Sequence, residues 1–234
     1  MKNTLTHGLP ATALLTLILA FASFSSASAT LTSISFQPSP ADLDGLDHHY
    51  SYSWRIDNIN PSSPITVTSA TLTFNNIQNW DTSPNMLFVY LLDTATQSGV
   101  NTFQDHPLDE APIGDIVDHF ANGAVIPSLL TASTAKIKLF QQSFTTTPTD
   151  FTYTFTSAQL VTLSQYINNG DDLAFGFDPE CHFFNDGVNF NMTFAPVPEP
   201  ASLMPVSILV TVSIFLEARR RRSAVAMARG GGSI

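Results

Sequence analysis

Between residues 30 and 196, apolar and polar residues alternate with a period of two in several short runs. Alternation at this period places one set of side chains on each face of a β-strand. The residues from Met86 to Leu92 are apolar on both faces, which is typical of a central strand covered on both sides. The pattern predicts strands in residues 50–56, 65–74, 86–92, 136–139, 151–155, 173–177 and 188–194.

Two segments carry a helical spacing instead. Ser157 is a candidate N-cap for a helix that ends at Asn169 and Gly170, with one apolar face formed by Leu160, Leu163 and Ile167. A second short helix is predicted before Gly123, with apolar residues at Ile113, Ile116, Val117 and Phe120.

Prolines at positions 38, 40, 61, 64, 84, 107 and 148 fall between the predicted strands, where turns are needed. Seven or more short strands separated by turns predict an all-β fold, an antiparallel two-sheet sandwich of the jelly-roll kind with one or two short helices. Residues 30–196 are predicted to form a single domain with its own core.

The first 29 residues resemble a secretory signal peptide in composition and order. Lys2 precedes an apolar stretch within residues 9–24, and Ala27 and Ala29 form an A-x-A cleavage site. The mature chain is therefore expected to begin at Thr30.

The C-terminal region has three parts that follow one another along the chain. Pro198, Glu199 and Pro200 precede an apolar run over residues 203–216, and a basic cluster follows it. The 14 residues of the run, predicted to form a hydrophobic helix, lie near the lower limit for crossing a bilayer. Arginines on the cytoplasmic side would stop translocation; the cluster is Arg219, Arg220, Arg221 and Arg222.

This three-part tail resembles the PEP-CTERM sorting signal of Gram-negative bacteria. The resemblance is confined to the C-terminal region, with residues 197–222 as the sorting and anchor segment and residues 223–234 as a disordered cytoplasmic tail. It implies that an exosortase, a membrane transpeptidase, processes the chain and passes it to the cell surface or the exopolysaccharide matrix. An ordinary single-span membrane anchor is the alternative interpretation.

Removal of the two targeting segments makes the charge of the chain more negative. The full sequence has 9 basic and 19 acidic residues, and residues 30–196 keep three of the basic and 17 of the acidic ones, a formal charge of −14. Such a surface repels phosphate backbones, so nucleic acid is not an expected partner. A single cysteine, Cys181, excludes an internal disulfide framework.

The segment from Phe177 to Gly187 is predicted to be the loop of a final β-hairpin, and it is rich in acidic side chains. Asp178, Glu180 and Asp186 could supply oxygen ligands to Ca²⁺ at the rim of the sandwich. The alternative is a structural loop whose Asp and Asn side chains satisfy its own backbone.

Other candidate sites are weaker. The acidic turn before Tyr50 lacks the EF-hand order of calcium loops. His48 and His49 within it could bind a transition metal, but adjacent residues on a strand point to opposite faces, so the stretch is interpreted as a solvated turn. Cys181 and His182 are adjacent, a spacing that rarely yields a nucleophile and its base. Three aromatic residues are candidates for stacking on sugars or for packing in the core: Trp54, Trp80 and Tyr90.

Three classes of function remain open on this basis. The first is a non-catalytic exported protein of the cell surface or matrix, and the second is a carbohydrate- or Ca²⁺-binding β-sandwich module. The third is a secreted hydrolase, which would require Asp178, Glu180 and His182 to converge on a cleft.

Overall fold

A computed structural model describes residues 30–59, 64–108, 117–121, 126, 128–170 and 172–197. The chain divides into two units, Met1–Thr30 and Leu31–Ile234, and every described residue after Thr30 belongs to the second. The described part of that unit is mostly β, with two antiparallel sheets and one α-helix.

The first sheet has the strand order β1-β10-β3-β7, with the short strand β9 paired to the end of β3. Its bounds are Thr32–Phe36 for β1, Ile65–Asn79 for β3, Thr149–Thr154 for β7, Phe183–Phe184 for β9 and Val188–Pro196 for β10. The second sheet has the order β5-β2-β8-β4-β6. Its bounds are Tyr50–Ile56 for β2, Met86–Leu92 for β4, Gly99–Gln104 for β5, Lys136–Ser143 for β6 and Leu173–Pro179 for β8.

All seven predicted strands are present, and β4 is buried between β8 and β6 as its apolar sequence predicts. The predicted final β-hairpin is wrong. Strand β8 pairs with β2 and β4 in the second sheet, whereas β10 pairs with β1 and β3 in the first. The chain from Phe177 to Gly187 therefore crosses from one sheet to the other.

The predicted helix is α1, Ser157–Gly170, and its predicted apolar face is the buried one, with Leu163 and Ile167 fully buried. Its N-cap is Thr156 rather than Ser157. The Thr156 hydroxyl accepts from the Gln159 N–H at 3.3 Å, and the Gln159 side-chain oxygen accepts from the Thr156 N–H at 2.8 Å. This reciprocal pair is a capping box.

The second predicted helix is not seen in the part of its span that the structure describes. Val117 is exposed, and the described residues 118–121 form a turn; Ile113 and Ile116 lie outside the described residues. A 3₁₀ turn at Leu43–Gly45 precedes β2 instead.

Alternate residues of the second sheet enter two different apolar clusters. On β8, Phe175 and Phe177 pack in the main core together with Phe74 and Phe190 of the first sheet. The Phe175 and Phe190 rings lie 4.9 Å apart. The other face of the second sheet carries a second cluster in which Tyr90 and Ala174 contact residues that follow β5, including Phe120, Ile126, Leu129 and Leu130. Both faces of this sheet are therefore covered.

Candidate functional site

Asp178 of β8 lies on the outer face of the second sheet, opposite the main core. Because Phe177 enters the core, the period of two directs Asp178 away from it. Ser51 of the neighbouring strand β2 lies beside it, since the register pairs Tyr52 with Phe177. Asp105 follows the end of β5, and its N–H donates to the His49 carbonyl at 3.1 Å.

Asp105, His119 and Asp178 form one compact group. The His119 Nδ1 atom lies 3.2 Å from Asp178 Oδ1 and 3.5 Å from Asp105 Oδ2. One potential metal-binding atom of each residue lies within 4.8 Å of the others. The site is further fixed by the His119 backbone N–H, which donates to Asp178 Oδ2 at 2.6 Å.

Ser51 joins the two carboxylates. Its hydroxyl lies 2.5 Å from Asp105 Oδ2 and 3.4 Å from Asp178 Oδ1. A hydroxyl has one proton to donate, so the shorter contact, to Asp105, is the stronger hydrogen bond.

The two carboxylates are almost completely removed from solvent. The side chains of Asp105 and Asp178 are each 4% exposed, and that of His119 is 22% exposed. Burial raises the pKa of the Asp105 carboxyl, against the opposing effects of the Ser51 hydrogen bond and of His119. The hydrogen bond with Asp178 is the main cause that raises the pKa of His119, and burial opposes it.

A second group, Asp47, His48 and His49, precedes β2. The Nδ1 atoms of His48 and His49 lie 3.4 and 2.9 Å from Asp47 Oδ1, and the two rings lie 3.9 Å apart. Burial is the main cause that lowers the pKa of His48, and neighbouring His49 adds to it. The prediction that these histidines point to opposite faces is wrong, because both precede the strand and lie in a turn.

The prediction of a solvated turn is also wrong in part. Leu43 and Leu46, which lie among the acidic residues of this turn, are fully buried in the main core. The residues from Leu43 to Leu46 all have positive φ angles, between 47° and 75°. This backbone lets the leucines turn inward while the aspartates stay nearer the surface.

All five histidines of the described residues lie in one neighbourhood. The ring of His182 lies against Gly45, where an added Cβ would be 3.1 Å from its Nε2 atom, and its charge acts on His48. The charge of His106 also acts on His48, and its ring lies 5.2 Å from that of His119. Their spacing in sequence, at 48, 49, 106, 119 and 182, gives no indication of this gathering.

The three carboxylates that the sequence singled out for Ca²⁺ do not form a common group among the described residues. Asp178 belongs to the group with Asp105 and His119. Glu180 Oε2 accepts from the Met86 N–H at 2.6 Å, and Asp186 Oδ2 accepts from the Asn76 side chain at 2.7 Å. Each thus has its own protein partner, and Ca²⁺ at these three residues stays a prediction.

The other candidate residues separate into buried and exposed ones. Cys181 is buried, and burial raises the pKa of its thiol, which disfavours the nucleophilic thiolate. Trp54 and Tyr90 are buried, whereas Trp80 is 62% exposed. A surface cavity of about 300 Å³ on β1, β3 and β10 has no acid or base in its lining, which is Ser33, Ile34, Ser35, Ser69, Ala70, Thr71, Asn191, Met192 and Thr193.

The targeting residues lie outside the described residues. This applies to Ala27 and Ala29, to Pro198, Glu199 and Pro200, and to the basic cluster at 219–222. Within the described ranges, no helix is both long enough and apolar enough to cross a membrane.

Comparisons of the chain with protein-family models, with curated proteins and with solved structures find no match.

Proposed function

We propose that the chain is an exported, non-catalytic protein of the cell surface or exopolysaccharide matrix, sorted by its PEP-CTERM tail. The observation that carries the proposal is the order of the tail: Pro198, Glu199 and Pro200, then the apolar run, then four arginines. A membrane-embedded transpeptidase needs a segment that halts in the bilayer with its cleavage motif on the outer side. An apolar run followed by arginines supplies that arrangement.

We propose that the cargo is a jelly-roll β-sandwich. The two sheets share one apolar core in which Phe74 of β3 lies 6.1 Å from Phe177 of β8. The strand orders β1-β10-β3-β7 and β2-β8-β4-β6, with β5 added at one edge, support a jelly-roll connection of the strands. Jelly rolls serve as binding and capsid domains as well as enzymes, so the fold agrees with a non-catalytic role without requiring it.

The surroundings of Cys181 and His182 support the non-catalytic part of the proposal. Cys181 is buried as a thiol, and its neighbour His182 packs against the Phe184 ring at 4.4 Å. Asp178, Glu180 and His182 have different close partners, which are the His119 N–H, the Met86 N–H and the Phe184 ring.

The export proposal predicts a processed protein outside the cytoplasm. An epitope tag inserted in the exposed turn at residues 145–148 would remain with the cargo after cleavage. In cells with the sorting peptidase, we expect a shortened tagged species in the surface or matrix fraction. In cells without it, we expect the longer precursor in the membrane fraction, measured by immunoblotting.

A matched variant separates sorting from simple anchoring. Changing Pro198, Glu199 and Pro200 to alanine leaves the apolar run intact, so the protein should stay in the membrane uncleaved. Shortening that is unaffected by this change would contradict exosortase processing, and a full-length soluble protein in the cytoplasm would contradict export altogether.

Carbohydrate binding at the β3–β9 edge is a second candidate, favoured by two exposed aromatic side chains. Trp80 is 62% and Phe184 is 42% exposed. Phe184 pairs with Gln78, and the Trp80 N–H donates to the His182 carbonyl at 2.9 Å. The period of two thus places Trp80, His182 and Phe184 on the same face of this edge.

Trp80→Ala should weaken binding of the purified full chain to the matrix polysaccharide of the bacterium that produces it. Loss of about 1 kcal/mol of aromatic contact corresponds to a roughly five-fold higher Kd. The measurement is co-sedimentation with the polysaccharide over a range of concentrations. The control is Val161→Ala, at a similarly exposed apolar position on α1, and it should bind as the unchanged chain does. If Trp80→Ala also binds as the unchanged chain does, the stacking role is rejected.

A further inference from the structure

We propose that Asp105, His119 and Asp178 bind one divalent transition-metal ion of the Zn²⁺ or Mn²⁺ class on the outer face of the second sheet. The proposal is independent of how the chain is exported. It concerns a different set of residues from the carboxylates that the sequence predicted for Ca²⁺, and only Asp178 is common to both.

The spacing of the three groups fits a metal ion. With metal–ligand bonds of about 2.1 Å, neighbouring ligand atoms of a tetrahedral ion lie about 3.4 Å apart. The His119 Nδ1 atom lies 3.2 Å from Asp178 Oδ1 and 3.5 Å from Asp105 Oδ2. The three residues could therefore occupy three corners of a coordination shell with small movements of the side chains.

A hydrogen-bonded imidazolium accounts for the contact of His119 with Asp178 but not for its contact with Asp105. The Nδ1 atom carries at most one hydrogen, and the 3.5 Å separation from Asp105 is too long for a hydrogen bond. The 3.2 Å separation from Asp178 is at the upper limit of the usual range. A cation at the centre would contact both carboxylates and the nitrogen at the same time.

The buried charge provides an independent reason for a cation. Two carboxylates lie side by side with side chains that are only 4% exposed. Asp105 Oδ1 is fully buried and has no hydrogen-bond partner among the described residues. An unpartnered buried carboxylate oxygen is costly, and a metal ion that Asp105 binds through both of its oxygens would remove that cost.

Two cationic side chains of the described residues form ion pairs outside this group. Arg55 pairs with Asp57 and Asp172, and Lys138 pairs with Asp118 at 2.7 Å. Both Asp105 and Asp178 contact His119, which offers at most one positive charge. A divalent ion bound by a neutral imidazole would balance the negative charges of both carboxylates.

The donor set indicates the class of ion. Imidazole nitrogen with carboxylate oxygen suits Zn²⁺ and Mn²⁺, whereas Ca²⁺ takes six to eight oxygen ligands. The surrounding contacts hold the ligands in place, because Asp178 Oδ2 accepts from the His119 backbone and Ser51 donates to Asp105. Such supporting hydrogen bonds are typical of metal centres.

The test is metal binding by the full chain, purified in a mild detergent, stripped with a chelator and dialysed against ZnCl₂, MnCl₂ or CaCl₂. Bound metal per chain is measured by mass spectrometry of the elements. We expect Asp105→Asn and His119→Gln each to hold about one equivalent less Zn²⁺ or Mn²⁺ than the unchanged chain. Asp150→Asn, at an exposed position on β7, should lose none.

Two further measurements guard against misfolding and against binding elsewhere. Near-ultraviolet circular dichroism shows whether each variant is folded, and X-ray absorption of the unchanged chain loaded with Zn²⁺ reports the ligands without any substitution. Oxygen ligands with a single imidazole are expected. The proposal is overturned if Asp105→Asn is folded and keeps all its metal, if the spectrum shows two or three imidazoles, as binding at His48 and His49 would give, or if the chain takes up Ca²⁺ alone or no metal.

Discussion

Phe74→Ala should destabilise the fold by about 3–5 kcal/mol, the range for removing a large aromatic side chain from a packed core. Phe74 of β3 is fully buried, and its ring lies 6.1–6.3 Å from three other phenylalanine rings. These belong to β6, β7 and β8, so the substitution would leave a cavity between strands of both sheets; the neighbours are Phe140, Phe151 and Phe177. Urea denaturation of the 30–197 fragment measures the free energy of unfolding.

Phe184→Ala is the matched control, since it removes the same atoms from a position that is 42% exposed. Its cost should stay below about 1 kcal/mol, because the alanine leaves no enclosed cavity. If the two substitutions cost the same, Phe74 is not the central contact between the sheets, and the jelly-roll sandwich proposed for this chain loses its main support.

The strands were predictable because their pattern is local. In β2 and β8 the large apolar residues recur at every second position, and that period alone places them on the core side. The predicted helix α1 followed from Leu163 and Ile167 in the same way, and only its N-cap differed, by one residue. The intervening residues of β2, including Ser51 and Ser53, look solvent-facing in the sequence and yet are fully buried.

The pairing of the strands was not predictable from the same pattern. Adjacent strands with a turn signal between them favour a hairpin, and the residues from Phe177 to Gly187 carry such a signal. Here the chain passes to the other sheet, because β10 finds its partners in β1 and β3. Periodicity reports which face of a strand is buried but contains no information on its partner.

The candidate metal centre depends on contacts that are distant along the chain. The sequence predicts Asp178 as a metal ligand, but as a member of a local acidic loop. Its actual neighbours are Asp105, directly after β5, and His119, in the stretch predicted as a second helix; they lie 73 and 59 residues away along the chain. The one available sequence signal was the placement of Asp178 directly after Phe177, which indicates the face opposite the core.

Gly176→Ala should destabilise the fold by about 1–3 kcal/mol, although alanine is normally tolerated in a strand. Gly176 lies on the outer face of β8, where an added Cβ would be 2.7 and 2.8 Å from the Cε1 and Cζ atoms of the Phe120 ring. That ring is fully buried and stacked on Tyr90 at a centroid distance of 5.4 Å. It cannot move away without losing this packing.

A double-mutant cycle with Phe120→Ala tests this explanation, because the two residues are in direct contact. Phe120→Ala alone should cost about 3–5 kcal/mol. In that background the new methyl group has room, so Gly176→Ala should be neutral or stabilising by up to about 1 kcal/mol through its effect on the unfolded chain. The sign of the Gly176→Ala effect is therefore expected to change between the two backgrounds, measured by urea denaturation of the 30–197 fragment. If the cost is equal in both, the methyl group clashes with something other than Phe120. In that case, the packing of residues after β5 on this face of the sheet, beside Asp178, would not depend on the glycine at position 176.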